Sequence, residues 1–286
     1  MVGHMNKTLL SIGHGFSARA LGRRLIAEGW RVIGTTRSND KADALRAEGV
    51  EPLIWPGNPL PIDAATHLLT SVAPTAEGDP VLNEASDALR AASHLEWVGY
   101  LSTTGVFGDR GGDWVDEASP LTPSTTRGQA RVDAEAAWAA LGLPLHIFRL
   151  AGIYGPGRGP FAKVKSGKAR RIIKEGQVFS RTHVDDIAQV VAASIARPNP
   201  GAAYNVCDDD PAPPQDVIAH AAELLGLPIP QAVAFEDADM SPMARSFYAE
   251  SKRVRNDRIK DELGVKLLYP NYRSGLAAVL AAEVGG

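Results

Sequence analysis

The sequence predicts an α/β protein built on a doubly wound parallel sheet, with a smaller lobe toward its C-terminus. Three observations carry this reading. A short apolar run, Leu9–Ile12, leads straight into Gly13-His14-Gly15-Phe16-Ser17-Ala18 and then into a stretch with Leu21, Leu25 and Ile26 at helical spacing. Further apolar runs alternate with helical stretches as far as Leu150, and strands separated by helices pair in parallel through right-handed crossovers. The chain of 286 residues is 44% hydrophobic and 22% charged, enough for one large core and a second, smaller one.

The first strand, glycine turn and helix stand in the order a dinucleotide requires. Gly13 permits a tight reversal, Gly15 lets backbone N–H groups approach a pyrophosphate, and the small Ala18 lets helix and strand pack closely, with the helix N-terminus facing the phosphates. The second strand, Arg31–Thr35, is followed by Thr36-Arg37-Ser38. A binder of NAD usually places Asp or Glu here to accept the ribose 2′-hydroxyl; Arg37 instead offers fixed donors to a 2′-phosphate. The expected cofactor is NADP, with NAD disfavoured, and the expected contacts are Gly13, His14, Gly15, Phe16, Ser17, Thr36, Arg37 and Ser38. The alternative for Arg37 is a solvated loop position, with the glycines serving only a turn.

The next strands are expected at Val50–Trp55, His67–Val72, Trp97–Ser102 and Leu145–Leu150, and the helices between them at Asp40–Glu48, Val81–Ser93 and Arg127–Leu141. Ligands of such sheets sit at the carboxyl ends of the strands. That places Ala73, Pro74, Thr103 and Gly152 beside the glycine turn. From Ala151 to Ser180 the rhythm breaks: Gly and Pro come first, then Lys163, Lys165, Lys168, Arg170, Arg171 and Lys174, either a solvated face or a lid that attracts anionic substrate. The pattern resumes at Arg181, with a helix over Ile187–Ala196 and a strand over Tyr204–Cys207. Thr182 or Asp185 is expected to cap that helix, with His183 packed beneath. Residues 5–150 plus 181–208 read as a Rossmann nucleotide-binding domain, and 151–180 plus 209–286 as a substrate lobe. Met1–His4, ahead of a second methionine at Met5, read as an added leader.

Several classes drop out. A net charge of −3 leaves no basic footprint for nucleic acid. No run has the length of a membrane span and the first residues lack a signal-peptide pattern, so the expected location is cytoplasmic. Cys207 is the sole cysteine, which excludes an intrachain disulfide and a cysteine-based zinc site, and no other cluster has metal-ligand spacing.

Four blocks, Leu101-Ser-Thr-Thr-Gly-Val-Phe-Gly108, Arg149-Leu-Ala-Gly-Ile-Tyr-Gly-Pro156, Arg181-Thr-His-Val-Asp-Asp186 and Ala203-Tyr-Asn-Val206, resemble successive blocks of the extended short-chain dehydrogenase/reductase superfamily, in its NAD-dependent epimerase/dehydratase branch. The resemblance spans nearly the whole chain. It implies a Rossmann domain with a small C-terminal lobe, a nicotinamide cofactor, small carbonyl or hydroxyl substrates such as nucleotide sugars, and a homodimer through the helices at Val81–Ser93 and Arg127–Leu141. It also implies a Ser/Thr that holds the substrate oxygen, which falls on Thr103, and a Tyr-x-x-x-Lys pair followed four residues later by Glu.

Glu135 is present, but Arg127 and Arg131 stand on the Tyr and Lys positions. Arginine, with a pKa above about 12, donates no proton near neutrality. Arg131 is therefore expected to hold the ribose and Arg127 a substrate anion; like charges one helical turn apart repel modestly unless an anion lies between them. The alternative turns both to solvent, with Arg131 paired to Glu135. The glycine motif also departs from the family pattern, with Ile12 at its first glycine and Ala18 at its last. Two functions follow: an atypical oxidoreductase or epimerase acting on a small anionic or nucleotide-sugar-like substrate, or an NADP(H)-binding sensor or scaffold without turnover.

Overall fold

The computed structural model describes residues 7–284, so the leader Met1–His4 lies outside the described residues. In chain order the first half contains β1 (Thr8–Ile12), α1 (Phe16–Ala27), β2 (Arg31–Thr36), α2 (Asn39–Ala47), β3 (Glu51–Ile54), β4 (His67–Thr70), α3 (Pro80–Ala91), β5 (Trp97–Thr103), β6 (Trp114–Val115) and α4 (Thr126–Ala139). There follow β7 (Leu145–Leu150), β8 (Gly152–Tyr154), α5 (Phe161–Lys165), β9 (Arg171–Ile173), β10 (Arg181–His183), α6 (Val184–Ala196) and β11 (Ala203–Val206). The chain closes with α7 (Pro214–Leu224), β12 (Ala232–Ala234), α8 (Pro242–Phe247), β13 (Arg253–Val254), α9 (Asp257–Asp261) and α10 (Tyr272–Val284).

Seven of these strands form one parallel sheet in the order β11-β7-β5-β4-β1-β2-β3. Helices cover both faces, so the central strands are buried on both sides; Leu9, Leu10 and Ile12 of β1 are fully inaccessible, which explains why they read as a continuous apolar run. One face packs against α1 and α6 around Leu21, Leu25, Ile187 and Val191, the other against α3 and α4 around Val81, Leu89, Ala134 and Trp138. The strand order reverses between β1 and β4, and the crevice at such a switch point opens beside the glycine turn. A separate core gathers Tyr154, Phe161, Val164, Val217, Ala221, Tyr272 and Leu276 beyond the sheet, whereas Ile259, Leu263 and Val265 join the α1–α6 face.

The helix after β10 begins at Val184, three residues earlier than its apolar periodicity suggests. The cap is His183 itself, whose Nδ1 accepts from the Asp185 N–H at 3.2 Å; neither Thr182 nor Asp185 fills that role. The Tyr154 ring packs edge-on against His183, and its hydroxyl is buried against Gly275.

One buried charge pair ties three elements together. Glu135 of α4 meets Arg149 of β7 at 2.9 Å, with side-chain exposures of 5% and 7%, and also accepts from the Ser102 hydroxyl of β5 at 2.5 Å. Arg149 further lies over the Phe107 ring, 5.2 Å from its centroid. Breaking one side of such a pair leaves an uncompensated buried charge at a cost of about 3–5 kcal/mol. Arg149→Met is therefore expected to lower the unfolding free energy by about that amount in a urea titration, and Arg149→Met with Glu135→Leu to recover most of the loss. An equal loss in both variants would show that packing, not charge, holds the junction.

Candidate functional site

The glycine turn leaves β1 at the switch point. Gly13 has φ +75°, a left-handed conformation that only glycine adopts without strain, and a side chain there would press on Val72 and Ser71. Its N–H donates to the Thr35 hydroxyl at 2.7 Å, and its carbonyl accepts from the Ser71 hydroxyl, so β2 and the end of β4 clamp the turn from both sides. Gly15 is the N-cap of α1 and offers no side chain to the helix N-terminus; a Cβ built there would meet only the Gly13 carbonyl at 3.7 Å. These features suit the pyrophosphate of a dinucleotide, which needs backbone N–H groups at an uncapped helix start.

His14 is the exception among the expected contacts. Its side chain is buried, bonded through Nδ1 to the Ser11 hydroxyl at 2.8 Å, and wedged where Cβ atoms on Gly22 or Gly34 would come within 2.8–2.9 Å of it or of Val50. It faces the helix–strand interface rather than the rim. Ser17 is likewise buried, so only its backbone is placed to meet a ligand, while Phe16 is half-buried at the rim. Beyond β2, Thr36 accepts from the Trp55 N–H, Ser38 is the N-cap residue of α2, and Arg37 is exposed with no ion-pair partner among the described residues.

Helix α4 supplies the other wall. Alanines favour the helix, and the Thr125 hydroxyl caps it by accepting from the Gly128 N–H at 3.0 Å. Arg127, Arg131, Glu135 and Trp138 follow at spacings of four, four and three, one stripe along the helix. Trp138 is sealed in the core and donates to Asp79 at 3.0 Å, and Glu135 is held by Arg149 and Ser102. The stripe thus carries Arg131 and then Arg127 past the strand ends. Arg131 does not pair with Glu135. Its Nη1 donates to the Tyr100 hydroxyl and the Leu101 carbonyl, both at 3.0 Å, and to the Val72 carbonyl at 3.4 Å, which bridges the ends of β4 and β5.

Arg127 is exposed but not without partners. It donates to the Ser246 hydroxyl at 3.3 Å and lies over the Phe247 ring at 5.2 Å, so α8 of the C-terminal lobe reaches across the start of α4. Thr103 ends β5, half-buried, and its hydroxyl accepts from the Gly105 N–H at 3.1 Å. Ala73 and Pro74 follow β4, and Gly152 opens β8 with its N–H bonded to the Ser180 carbonyl. Gly13, Ala73, Pro74, Thr103 and Arg37 thus stand at or just beyond the ends of β1, β4, β5 and β2, Gly152 opens β8, Phe16 and Ser17 begin α1, and Arg127 and Arg131 lie on α4.

Sequence reasoning missed a latch beneath this wall. Buried Lys252 donates to the Gly108 carbonyl at 2.7 Å and to Glu250 at 2.6 Å, and Glu250 accepts from the Ser124 hydroxyl at 2.5 Å. These bonds lock the lobe onto the segment just before α4, across more than a hundred residues of sequence that carry no periodic signal of the contact. Part of the basic run after Gly159 is tied down: Lys165 of α5 reaches Glu283 at 3.5 Å, Arg171 of β9 donates to the Pro230 carbonyl, and Lys174 lies over Phe235.

Electrostatics sort these groups. Burial pushes the Tyr100 phenol up to about 12 despite Arg131 beside it, and Tyr100 is wholly inaccessible, so it stays protonated and out of reach of a substrate. Burial also holds the Tyr154 phenol well above its usual range. The edge can thus bind an anion and orient an oxygen. It presents no tyrosine acid where the family places one.

Residues 6–206 match the RmlD substrate-binding-domain family, and the chain belongs to it, as an atypical member of the short-chain dehydrogenase/reductase superfamily. Its fold is that of a functionally unknown conserved protein from Silicibacter pomeroyi DSS, 64% identical, with a TM-score of 0.95 over 97% of this chain and 99% of that one. A protein of Methylobacillus flagellatus assigned as an NAD-dependent epimerase/dehydratase is 28% identical, with a TM-score of 0.74 over 97% and 98% of the two chains. The YeeZ protein of Escherichia coli (strain K12) is 28% identical over 282 residues, 93% of this chain and 97% of that protein.

The His14 wedge has a pH consequence. Burial first, and then Arg19 and Arg23, lower its pKa from 6.5 to about 4. The unfolded chain therefore binds the proton more readily, and the stability from neutral His14 is present above pH 6.5 and lost as pH falls toward 4. His14→Gln is expected to flatten the acid limb of a urea-midpoint profile between pH 6.5 and 4, where one such group contributes up to about 1.4 kcal/mol per pH unit. Identical acid limbs in both proteins would contradict the assignment.

Proposed function

We propose that the protein binds NADP(H) along the carboxyl edge of its sheet and acts as an oxidoreductase or epimerase on a small anionic carbonyl or hydroxyl compound of the nucleotide-sugar type. The observation that carries this reading is Arg131. It stands on the family's lysine position, and among the described residues its hydrogen bonds are all made through Nη1, so Nε and Nη2 are available to a ribose. A bound nicotinamide would supply the hydride acceptor or donor. The chain's own residues would do the rest: the glycine turn and α1 hold the phosphates, Arg37 the 2′-phosphate, Thr103 the substrate oxygen and Arg127 a substrate anion.

A guanidinium is not a proton donor for such chemistry, and Tyr100 is sealed away. Proton exchange at the substrate oxygen then falls to water beside Thr103, and turnover is slower by the roughly 10²–10⁴-fold that a positioned acid contributes. The grip of Ser246 and Phe247 on Arg127 favours a second reading, an NADP(H)-dependent binding protein without turnover, in which α8 reports what occupies the cleft.

Titration calorimetry with both dinucleotides tests the cofactor. NADP⁺ is expected to bind more tightly than NAD⁺ by roughly 1–3 kcal/mol, and Arg37→Ala to remove most of the difference; equal affinities in the unmutated protein would end the idea. The two readings part at Arg127→Tyr with Arg131→Lys. For an enzyme that uses Arg127 on its substrate, the double change abolishes turnover of that substrate. For a binding protein, hydride exchange across a panel of nucleotide sugars, aldehydes and ketones is absent before the change, and cofactor affinity shifts only modestly after it.

A further inference from the structure

We propose that Arg158, from the loop after β8, is a ligand of the cofactor's pyrophosphate and closes over the glycine turn from the substrate-lobe side. The inference rests on the dinucleotide reading above and adds to it a residue outside the sheet edge.

The loop is rigid where it matters. Gly155 and Arg158 exchange two backbone hydrogen bonds, both 2.9 Å, across Pro156-Gly157. A Cβ on Gly155 would stand 2.7 Å from Val184 and 3.2 Å from the Phe16 ring, so the turn is pressed against the first residues of both α6 and α1. The Arg158 side chain then projects onto Phe16, its guanidinium carbon 5.5 Å from the ring centroid. Phe16 is the first residue of α1, directly after Gly15. An aromatic face holds a guanidinium in place without using its N–H donors, which stay free for a planar or tetrahedral anion.

No carboxylate among the described residues claims that charge. Glu283, the acid that reaches this turn, is spent on the Gly157 N–H at 3.3 Å and on Lys165 at 3.5 Å. Arg158 is exposed, and the ring it lies over belongs to the first residue of α1, whose N-terminus carries a partial positive charge of about one half. Two positive groups side by side repel unless an anion lies between them. A pyrophosphate carries two negative charges to that point. Arg37, by contrast, follows β2, the strand next to β1, at the expected 2′-phosphate position, so the two arginines would read different phosphates of one cofactor.

Calorimetry with two fragments separates the roles. ADP carries the pyrophosphate and lacks the 2′-phosphate; adenosine 2′-monophosphate carries the reverse. Arg158→Gln is expected to weaken ADP about tenfold and to leave the 2′-monophosphate unchanged, whereas Arg37→Ala does the opposite. Arg158→Lys, which keeps the charge but loses the planar fork, falls between. The side chain is exposed, so the melting temperature should not move. If Gly15→Val abolishes ADP binding while Arg158→Gln leaves it untouched, the dinucleotide reading stands and the Arg158 assignment falls. Unchanged ADP affinity with weakened UDP affinity overturns it too, and assigns the arginine to a substrate diphosphate. An equal loss for ADP and the 2′-monophosphate overturns it as a general disturbance, and an unmutated protein that binds neither fragment ends both readings.

Discussion

The site depends on where α4 is anchored, and a buried charge sets that anchor. Glu135 is held between Arg149 of β7 and Ser102 of β5, with almost none of it exposed. A carboxylate in such surroundings cannot slide or rotate by a residue without losing both partners, because no other compensating charge is at hand. With Glu135 fixed, helical geometry leaves Arg131 one turn nearer the strand ends and Arg127 one turn beyond that. The positions that carry chemistry elsewhere in the superfamily are thus placed by a residue that touches no ligand.

The anchor also explains why arginines are tolerated there. Arg131 lies against the Tyr100 hydroxyl and the carbonyls that end β4 and β5, so its charge is solvated by protein oxygens before any ligand arrives. Arg127, exposed, touches the Ser246 hydroxyl and the Phe247 ring instead of an acid. Arg37 and Arg158 have no carboxylate partner among the described residues. The chain as a whole is slightly acidic, at −3, yet this edge gathers cations whose partners are carbonyls, hydroxyls and rings. Such partners hold a guanidinium without neutralising it, which leaves an electrostatic demand for an anion.

Three segments of the C-terminal half meet at that edge. The Gly155–Arg158 turn presses on α1, α8 reaches Arg127, and the Glu250–Lys252 latch grips the residues just before α4. The glycine turn thus borders one of these segments, and the start of α4 borders the other two.

Much was legible in the sequence, and the reason is periodicity. Strands buried on both faces appear as unbroken apolar runs, the glycine turn announces itself by spacing, and order along the chain fixes a parallel sheet; Thr103 ends β5, Arg37 follows β2, and Arg127 and Arg131 lie on one stripe of α4. Direction of side chains was decided only by the tertiary structure. His14 sits in the glycine motif yet turns inward, because Gly22 and Gly34 leave a cavity of its size behind the turn. Arg131 takes oxygens of β4 and β5 rather than Glu135, because Arg149, brought in by β7, already holds that carboxylate. His183 caps α6 in place of its neighbours, and Phe16 meets Arg158 across 142 positions. Local pattern determines which face of an element is buried; which partner a polar group takes depends on residues that only folding brings near.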